Sequence, residues 1–297
     1  MIMYLGAHLG SQITSLGVFR RALPALDLTH FQRLEKLRYR HAFQGDHWFY
    51  IATSCPRLKE LILYQLGESH YGQQSDRSGS CVTFPGLERL VVWNWRISYL
   101  QEVMERSTLP RLQDLNLQLR PPWKEGLHPK VALERIRKQT SGLTALGLGL
   151  PVEMSADLLR QVLSWKCLVR LRLHALIFRG MSTEALDDIL PLGARLEKLH
   201  LWQEARADPE LTVWTLIALA RHLVGLVDLE VMLNVNEFDT KNALAASWNP
   251  FRALQTLSVS ICAGSDGVSH IASEFATFLV AICPELEELT ISAWNQS

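Results

Sequence analysis

The sequence contains no residue pattern that would support catalysis, metal binding or cofactor binding. Gly147-Leu148-Gly149 matches the start of a G-x-G nucleotide-binding loop, but no third glycine follows, and Leu148 fits the core position of a strand. None of the ten histidines is spaced as a metal ligand on a helix, and the five cysteines include no C-x-x-C pair. No Ser/His/Asp set is ordered along the chain. The chain is therefore predicted to be non-enzymatic, with no metal and no cofactor.

Two short runs indicate a protein-binding surface. In each, leucine alternates with basic or aromatic residues: R-L-R-L-H at 170–174 and K-L-H-L-W at 198–202. Alternate residues of a strand lie on one face, so each run would present its basic and aromatic side chains together. The residues concerned are Arg170, Arg172, His174, Lys198, His200 and Trp202. Arginine and tryptophan are the residue types most enriched among interface hot spots. The predicted partner is an acidic or phosphorylated protein segment, with Trp202 as its apolar anchor.

Four further residues complete the predicted binding face. Two glycines would leave a hollow beside the basic runs, and two aromatic residues would form a weaker second contact: Gly147, Gly149, Tyr64 and Trp93. Asp228 and Glu230 border the other edge and would repel an acidic segment there. The alternative is that Trp202 only packs on the side-chain stems of its neighbours. Nucleic acid is not expected, because the patch is small and 30 basic residues balance 30 acidic ones.

The element that would hold these residues is a leucine-rich repeat. Leucine accounts for 52 of the 297 residues, and ten segments read L-x-x-L-x-apolar. Their first leucines are separated by 24 to 32 residues, with a mean of 28, and are Leu34, Leu58, Leu87, Leu112, Leu143, Leu168, Leu196, Leu226, Leu254 and Leu286. Chance matches would be spaced irregularly, and leucine-rich repeats are about 20–29 residues long with this core. The ten segments are therefore predicted to be ten repeats.

Each repeat is predicted to fold as a strand followed by a helix, because the L-x-L portion alternates with period two and the intervals have helical spacing. Stacked repeats would form an α/β horseshoe solenoid with parallel strands on the concave face and helices on the convex face. The slot three residues before each first leucine is mostly apolar, which assigns Cys55 and Cys283 to the core. Residues 1–33 are expected to form an N-terminal cap and residues 34–297 one continuous domain, with a polar loop at about 69–82.

Four segments resemble a known family: CPRLKELIL (55–63), FPGLERLVVWNW (84–95), LPRLQDLNL (109–117) and CPELEELTI (283–291). Their C-P-x-L-x-x-L type of opening is similar to the leucine-rich-repeat region of F-box proteins, especially the large fungal F-box-like families. In that family the repeats capture a substrate, and an N-terminal F-box docks on the adaptor of a cullin–RING ubiquitin ligase. The resemblance therefore implies a substrate receptor for ubiquitin ligation. Only Leu23-Pro24-Ala25-Leu26 could represent an F-box, so none is recognisable, and direct binding of the cullin adaptor is not expected.

Two other functions remain open at this point. One is a leucine-rich-repeat adaptor or inhibitor with no ubiquitin role. The other is a GTPase-activating protein, which needs an Arg or Asn on a strand-to-helix loop beside the nucleotide, and Arg96, Arg120 and Arg179 are on such loops.

Membrane attachment and secretion are both disfavoured by the sequence. The apolar run at 275–283 is too short for a membrane span, and the first ten residues lack the basic region of a signal peptide. We expect a monomeric intracellular protein, in the cytoplasm or the nucleus, that does not contact membranes.

Overall fold

The computed structural model describes residues 11–19, 27–40, 45–64, 81–96, 100, 103–120, 129–204, 210–235, 243, 249–262 and 268–294. The chain divides into two compact parts, an N-terminal half, Met1–Thr144, and a C-terminal half, Ala145–Ser297. The polar loop predicted at about 69–82 lies outside the described residues apart from positions 81 and 82, and so does Leu23-Pro24-Ala25-Leu26.

The strands of the N-terminal half are β1 (Ser15–Phe19), β2 (Lys36–Arg40), β3 (Glu60–Tyr64), β4 (Val82–Thr83), β5 (Arg89–Trp95), β6 (Ser107–Thr108) and β7 (Asp114–Leu119). Five of them form a parallel sheet in the order β1-β2-β3-β5-β7, while the short strands β4 and β6 pair with each other. Helices α1 (Gly45–Ser54) and α2 (Pro129–Gln139) belong to the intervals between strands.

The strands of the C-terminal half are β8 (Ala145–Ser155), β9 (Arg170–Arg179), β10 (Lys198–Gln203), β11 (Asp228–Asn234), β12 (Thr256–Cys262) and β13 (Glu288–Trp294). All six are parallel and follow one another in chain order. The helices between them are α3 (Ala156–Leu163), α4 (Thr183–Ile189), α5 (Val213–His222) and α6 (Val268–Ile282). Among the described residues, no helix is both long enough and apolar enough to cross a membrane.

The leucine slots of successive repeats stand in register, which confirms the strand portion of the predicted repeat. Leu37 is aligned with Leu61, Leu61 with Leu90, and Leu90 with Leu115. All four of these side chains are at most 1% exposed. Side chains at this spacing in neighbouring strands pack on one another, so each repeat buries the apolar face of the next. The α/β leucine-rich-repeat arrangement therefore follows from the register of the strands.

A recurring turn explains why the slot three residues before each first leucine is buried. The backbone N–H of Leu58 donates to the carbonyl of Cys55 at 3.1 Å, and that of Leu286 donates to Cys283 at 3.3 Å. This turn directs the side chain of the slot under the strand, and Cys55 and Cys283 are 2% and 4% exposed. The core positions predicted for these two cysteines are confirmed.

The first strand lies within the segment predicted to be an N-terminal cap. Leu16 of β1 is aligned with Leu37, and Val18 with Tyr39. Ile13-x-x-Leu16-x-Val18 has the repeat pattern with isoleucine in the first slot, so a search that requires leucine there misses it. The cap segment thus contributes a strand to the repeat sheet.

The last strand is much less covered than the others. Leu289 and Ile291 of β13 are 44% and 45% exposed, although their aligned neighbours Leu257 and Val259 are 1% and 0% exposed. A repeat needs a neighbour on each side to bury its leucines fully. In the described residues β13 has such a neighbour on one side only, namely β12.

Candidate functional site

The outer face of each half is the side of its strands that carries the residues between the leucines. In the C-terminal half, strand register brings the predicted basic residues together there, since Lys198 is aligned with Arg170, His200 with Arg172, and Trp202 with His174. Gly147 and Gly149 are aligned with Arg172 and His174 from the other side. Eight of the ten residues predicted from the sequence therefore lie on three adjacent strands, β8, β9 and β10. Tyr64 and Trp93, the remaining two, are aligned with each other in the N-terminal half.

The acidic residues of β11 neutralise the basic residues of β10. Lys198 Nζ lies 3.1 Å from Asp228 Oδ2, and His200 Nδ1 lies 3.0 Å from Glu230 Oε2. His200 Nε2 also faces Asp228 Oδ2, at 3.6 Å, which is too long for a hydrogen bond. Asp228 and Glu230 were expected only to border the face. Instead, Asp228 forms an ion pair with Lys198, and Glu230 contacts the ring of His200.

The basic residues of β9 are not neutralised in this way. Arg170, Arg172 and His174 are all exposed, and none of them has an ion pair or hydrogen bond to a side chain in the part of the chain that the structure describes. Arg170 and Arg172 are two residues apart on one strand, so their Cα atoms lie about 6.6 Å apart and both guanidinium groups can reach one anion. The positive charge of this face that has no carboxylate partner among the described residues is therefore that of Arg170 and Arg172 on β9.

A buried stretch of backbone lies beside these arginines. Gly147 and Gly149 are buried although both occupy outward positions of β8. Since glycine has no side chain, the backbone of β8 lies at the bottom of the face, below the side chains of Arg172 and His174. On the other side of β9, Trp202 is half-buried and leaves part of its ring accessible. From one strand to the next, β8 thus contributes a low backbone floor, β9 two guanidinium groups and β10 an aromatic side chain.

The outer face of the N-terminal half has a different charge distribution. Its first outward row alternates in sign across four strands: Lys36, Glu60, Arg89 and Asp114. Glu60 contacts Lys36 Nζ at 3.7 Å and Arg89 Nη1 at 3.8 Å, and Arg89 Nε contacts Asp114 at 3.4 Å. Such exposed pairs contribute at most about 1 kcal/mol each to stability. Their consequence here is that this row carries no net charge.

A cation–aromatic stack occupies the last outward row of the same half. The Cζ atom of Arg40 lies 4.9 Å from the centre of the Tyr64 ring. The rings of Tyr64 and Trp93 are stacked, with centroids 5.9 Å apart and planes inclined by 13°. Trp93 is 38% exposed, whereas Trp95 is fully buried. Tyr64 and Trp93, which were predicted to form a second contact with the partner, thus stack on each other, and Arg40 lies over the Tyr64 ring.

The three arginines considered for GTPase activation differ in their solvent exposure and in their contacts. Arg96 and Arg120 are half-buried in the N-terminal half. Arg179 is exposed at the end of β9, but its guanidinium group contacts Glu153 at 3.0 Å and Glu210 at 3.9 Å. An arginine that stabilises a phosphoryl transition state needs a guanidinium group that is free to approach the phosphate. The geometry of Arg179 therefore gives this alternative no support.

Comparison with solved structures returns matches that include two proteins of low similarity. The leucine-rich repeat-containing protein LegL7 from Legionella pneumophila is 14% identical with a TM-score of 0.47, and the match covers 95% of this chain and 83% of LegL7. InlP from Listeria monocytogenes is 12% identical with a TM-score of 0.35, over 86% of this chain and 58% of InlP. No protein-family model and no curated protein matches the sequence. The repeat assignment therefore rests on the strand register of the chain itself.

The sequence contained a signal for the pairing that was not foreseen. Lys198 and Asp228 occupy the same outward slot of consecutive repeats, and so do His200 and Glu230. Residues in the same slot of adjacent parallel strands lie about 4.8 Å apart, within reach of each other's side chains. Reading each slot across repeats, in addition to along each strand, would have indicated that Lys198 and His200 each face a carboxylate.

Proposed function

We propose that this chain is a protein-interaction module that captures an acidic or phosphorylated protein segment on the outer face of its C-terminal half, across β8, β9 and β10. The observation that carries the proposal is the pair of exposed arginines on β9, Arg170 and Arg172, which have no carboxylate partner among the described residues. A carboxylate or phosphate on the partner would supply the missing counter-charge to both guanidinium groups. The glycine floor of β8 would leave room for the partner's backbone, and Trp202 would cover its apolar side chains.

The biological role we propose is that of a substrate receptor. This part of the proposal is supported by the resemblance of the C-P-x-L-x-x-L openings to F-box leucine-rich-repeat proteins, in which the repeats select the protein to be ubiquitinated. An adaptor or inhibitor would use the same binding face without changing the abundance of its partner. The two roles therefore differ in the fate of the bound protein and share the site.

Proximity labelling in the native cell tests both levels of the proposal. The full chain, the variant R170A/R172A and the control variant R57A/R111A are compared. Arg57 and Arg111 are exposed arginines in turns of the N-terminal half, so the control removes the same charge from residues that are not part of β8, β9 or β10. We expect a set of proteins with acidic segments to be labelled by the wild type and by the control and lost with R170A/R172A. Identical labelling by all three chains would refute the proposed face.

The fate of the labelled partner then separates the two roles. A substrate receptor predicts that the partner accumulates when the chain is deleted, and that inhibition of cullin–RING ligases removes the difference between deleted and wild-type cells. An adaptor or inhibitor predicts unchanged partner abundance. Unchanged abundance would therefore refute the ubiquitin role while leaving the binding face in place.

A further inference from the structure

We infer that the outer face of the N-terminal half is a second recognition site, for an extended protein segment in which an acidic side chain and a large apolar side chain lie three residues apart. The inference rests on the proposed function in one respect, namely that the chain binds extended protein segments. It concerns different residues from those of the C-terminal half, and it states what the second contact selects.

The acidic side chain is selected by β2. Arg38 is exposed and has no ion pair or hydrogen bond to any residue that the structure describes. Within the same described residues, the one contact of the Arg40 guanidinium group is its cation–aromatic contact with Tyr64. The carboxylates nearest in register, Glu60 and Asp114, already contact Lys36 and Arg89. The charge left over on this face is therefore that of Arg38 and Arg40, which lie side by side on one strand and favour an anionic group there.

The apolar side chain is selected by β3 and β5. Ile62 and Val91 occupy outward positions, yet they are 7% and 4% exposed, so they form an apolar floor below the aromatic stack. Tyr64 and Trp93 rise beside this floor, and the exposed part of Trp93 supplies a rigid aromatic wall. Tryptophan in such a setting offers a large contact area at a low cost in conformational entropy.

A local backbone irregularity keeps Trp93 at the surface. Trp93 and Trp95 are two residues apart and would lie on the same face of a regular strand. Asn94 between them has a φ of 64°, and the register with β7 shifts at this point. The left-handed conformation costs a non-glycine residue about 1–2 kcal/mol, least for asparagine. The bulge directs Trp95 into the core and leaves Trp93 on the outer face, so the exposed tryptophan is specified by the fold.

The distance between the two groups sets the spacing of the ligand. Arg38 is aligned with Ile62 and Ile62 with Val91, so two inter-strand steps separate the arginines from the far side of the apolar floor. Each step is about 4.8 Å, which gives about 10 Å in total. A peptide in the extended polyproline II conformation has three residues per turn and advances about 3.1 Å per residue, so side chains three residues apart lie on the same side, about 9 Å from each other. The site therefore selects an Asp or Glu separated by two residues from an aromatic or branched aliphatic side chain.

A phage-displayed library of random 12-residue peptides, panned on the full chain, tests this selection without a known partner. Enriched sequences are synthesised with a fluorescent label, and their binding is measured by fluorescence anisotropy to the wild type, W93A and R38A/R40A. W214A is the matched control, since Trp214 is 40% exposed on α5 of the C-terminal half. Circular dichroism and the urea midpoint verify that each variant is folded. We expect enrichment of the three-residue spacing, and at least tenfold weaker binding to W93A and R38A/R40A than to wild type and W214A.

The outcomes also separate this site from that of the C-terminal half when R170A/R172A is included. Peptides that lose affinity for R170A/R172A but bind W93A normally would overturn the second site and leave the proposed function standing. Binding that is unchanged in all variants would overturn both. Enriched sequences without the acidic–apolar spacing, or no enrichment at all, would also overturn the inference.

Discussion

The unequal cover of the last two strands leads to a quantitative prediction about Leu257 and Leu289. These residues occupy the same slot in adjacent strands, but Leu257 is 1% exposed and Leu289 is 44% exposed. Replacing leucine by alanine removes three carbon atoms, worth about 0.8 kcal/mol each when buried, which gives about 2.4 kcal/mol for Leu257. The cavity left in the core adds to this cost, so we expect Leu257→Ala to lower the free energy of unfolding by about 3–5 kcal/mol.

The same substitution at Leu289 should cost much less. A little over half of this residue is buried, which reduces the transfer contribution to about 1.3 kcal/mol. The removed atoms leave a gap that opens to solvent, so no cavity cost is added. Urea unfolding followed by far-ultraviolet circular dichroism measures both variants, and unchanged m-values would show that each transition is comparable with that of the wild type. Equal costs at the two positions would refute the conclusion that the leucine slots of β13 are only partly covered.

Two further predictions test the buried turn and the backbone bulge. Burial raises the pKa of the thiols of Cys55 and Cys283 to about 12, so at pH 8 neither is a thiolate, whereas Cys81 and Cys167 are exposed. We expect native protein to show rapid reaction of Cys81 and Cys167 with a disulfide reagent and protection of Cys55 and Cys283 until urea is added. Fast labelling of Cys55 or Cys283, located by mass spectrometry, would contradict their burial. Asn94→Val should be less stable than Asn94→Gly by about 1–2 kcal/mol, because a β-branched residue is strained at a φ of 64° and glycine is not. Equal stability of these two variants would show that the bulge is absent in solution.

Much of the fold is predictable from the sequence because the same apolar residues must be buried in every repeat, so the pattern recurs many times. The slots of Leu37, Leu61 and Leu90 are aligned as the period requires, and the turn before each repeat buries Cys55 as its slot predicts. The strand beginning at Ser15 escaped notice because isoleucine stands in its first slot. Isoleucine and leucine fill the same core volume, so the physical requirement is an aliphatic side chain at that position.

The candidate face is less predictable because exposure and charge depend on neighbours. Alternation places Ile62 and Val91 on the outer face, yet both are buried. The two alternating runs in the C-terminal half have nearly the same composition. Only the first keeps its charge, because carboxylates on β11 reach Lys198 and His200 and not Arg170. These differences come from side chains in the next repeat and cannot be read from either run alone.

The central claim is tested most directly by the affinity of the double variant R172A/W202A for the acidic segment of a partner that proximity labelling has identified. Isothermal titration calorimetry is performed on the wild type, R172A/W202A and the control R57A/R111A, each verified as folded by circular dichroism. Loss of a charged contact and an aromatic contact should weaken binding by more than about 2 kcal/mol, or about 30-fold, while the control should bind like the wild type. Wild-type affinity in a folded R172A/W202A chain would contradict the claim that the face formed by β8, β9 and β10 captures the partner.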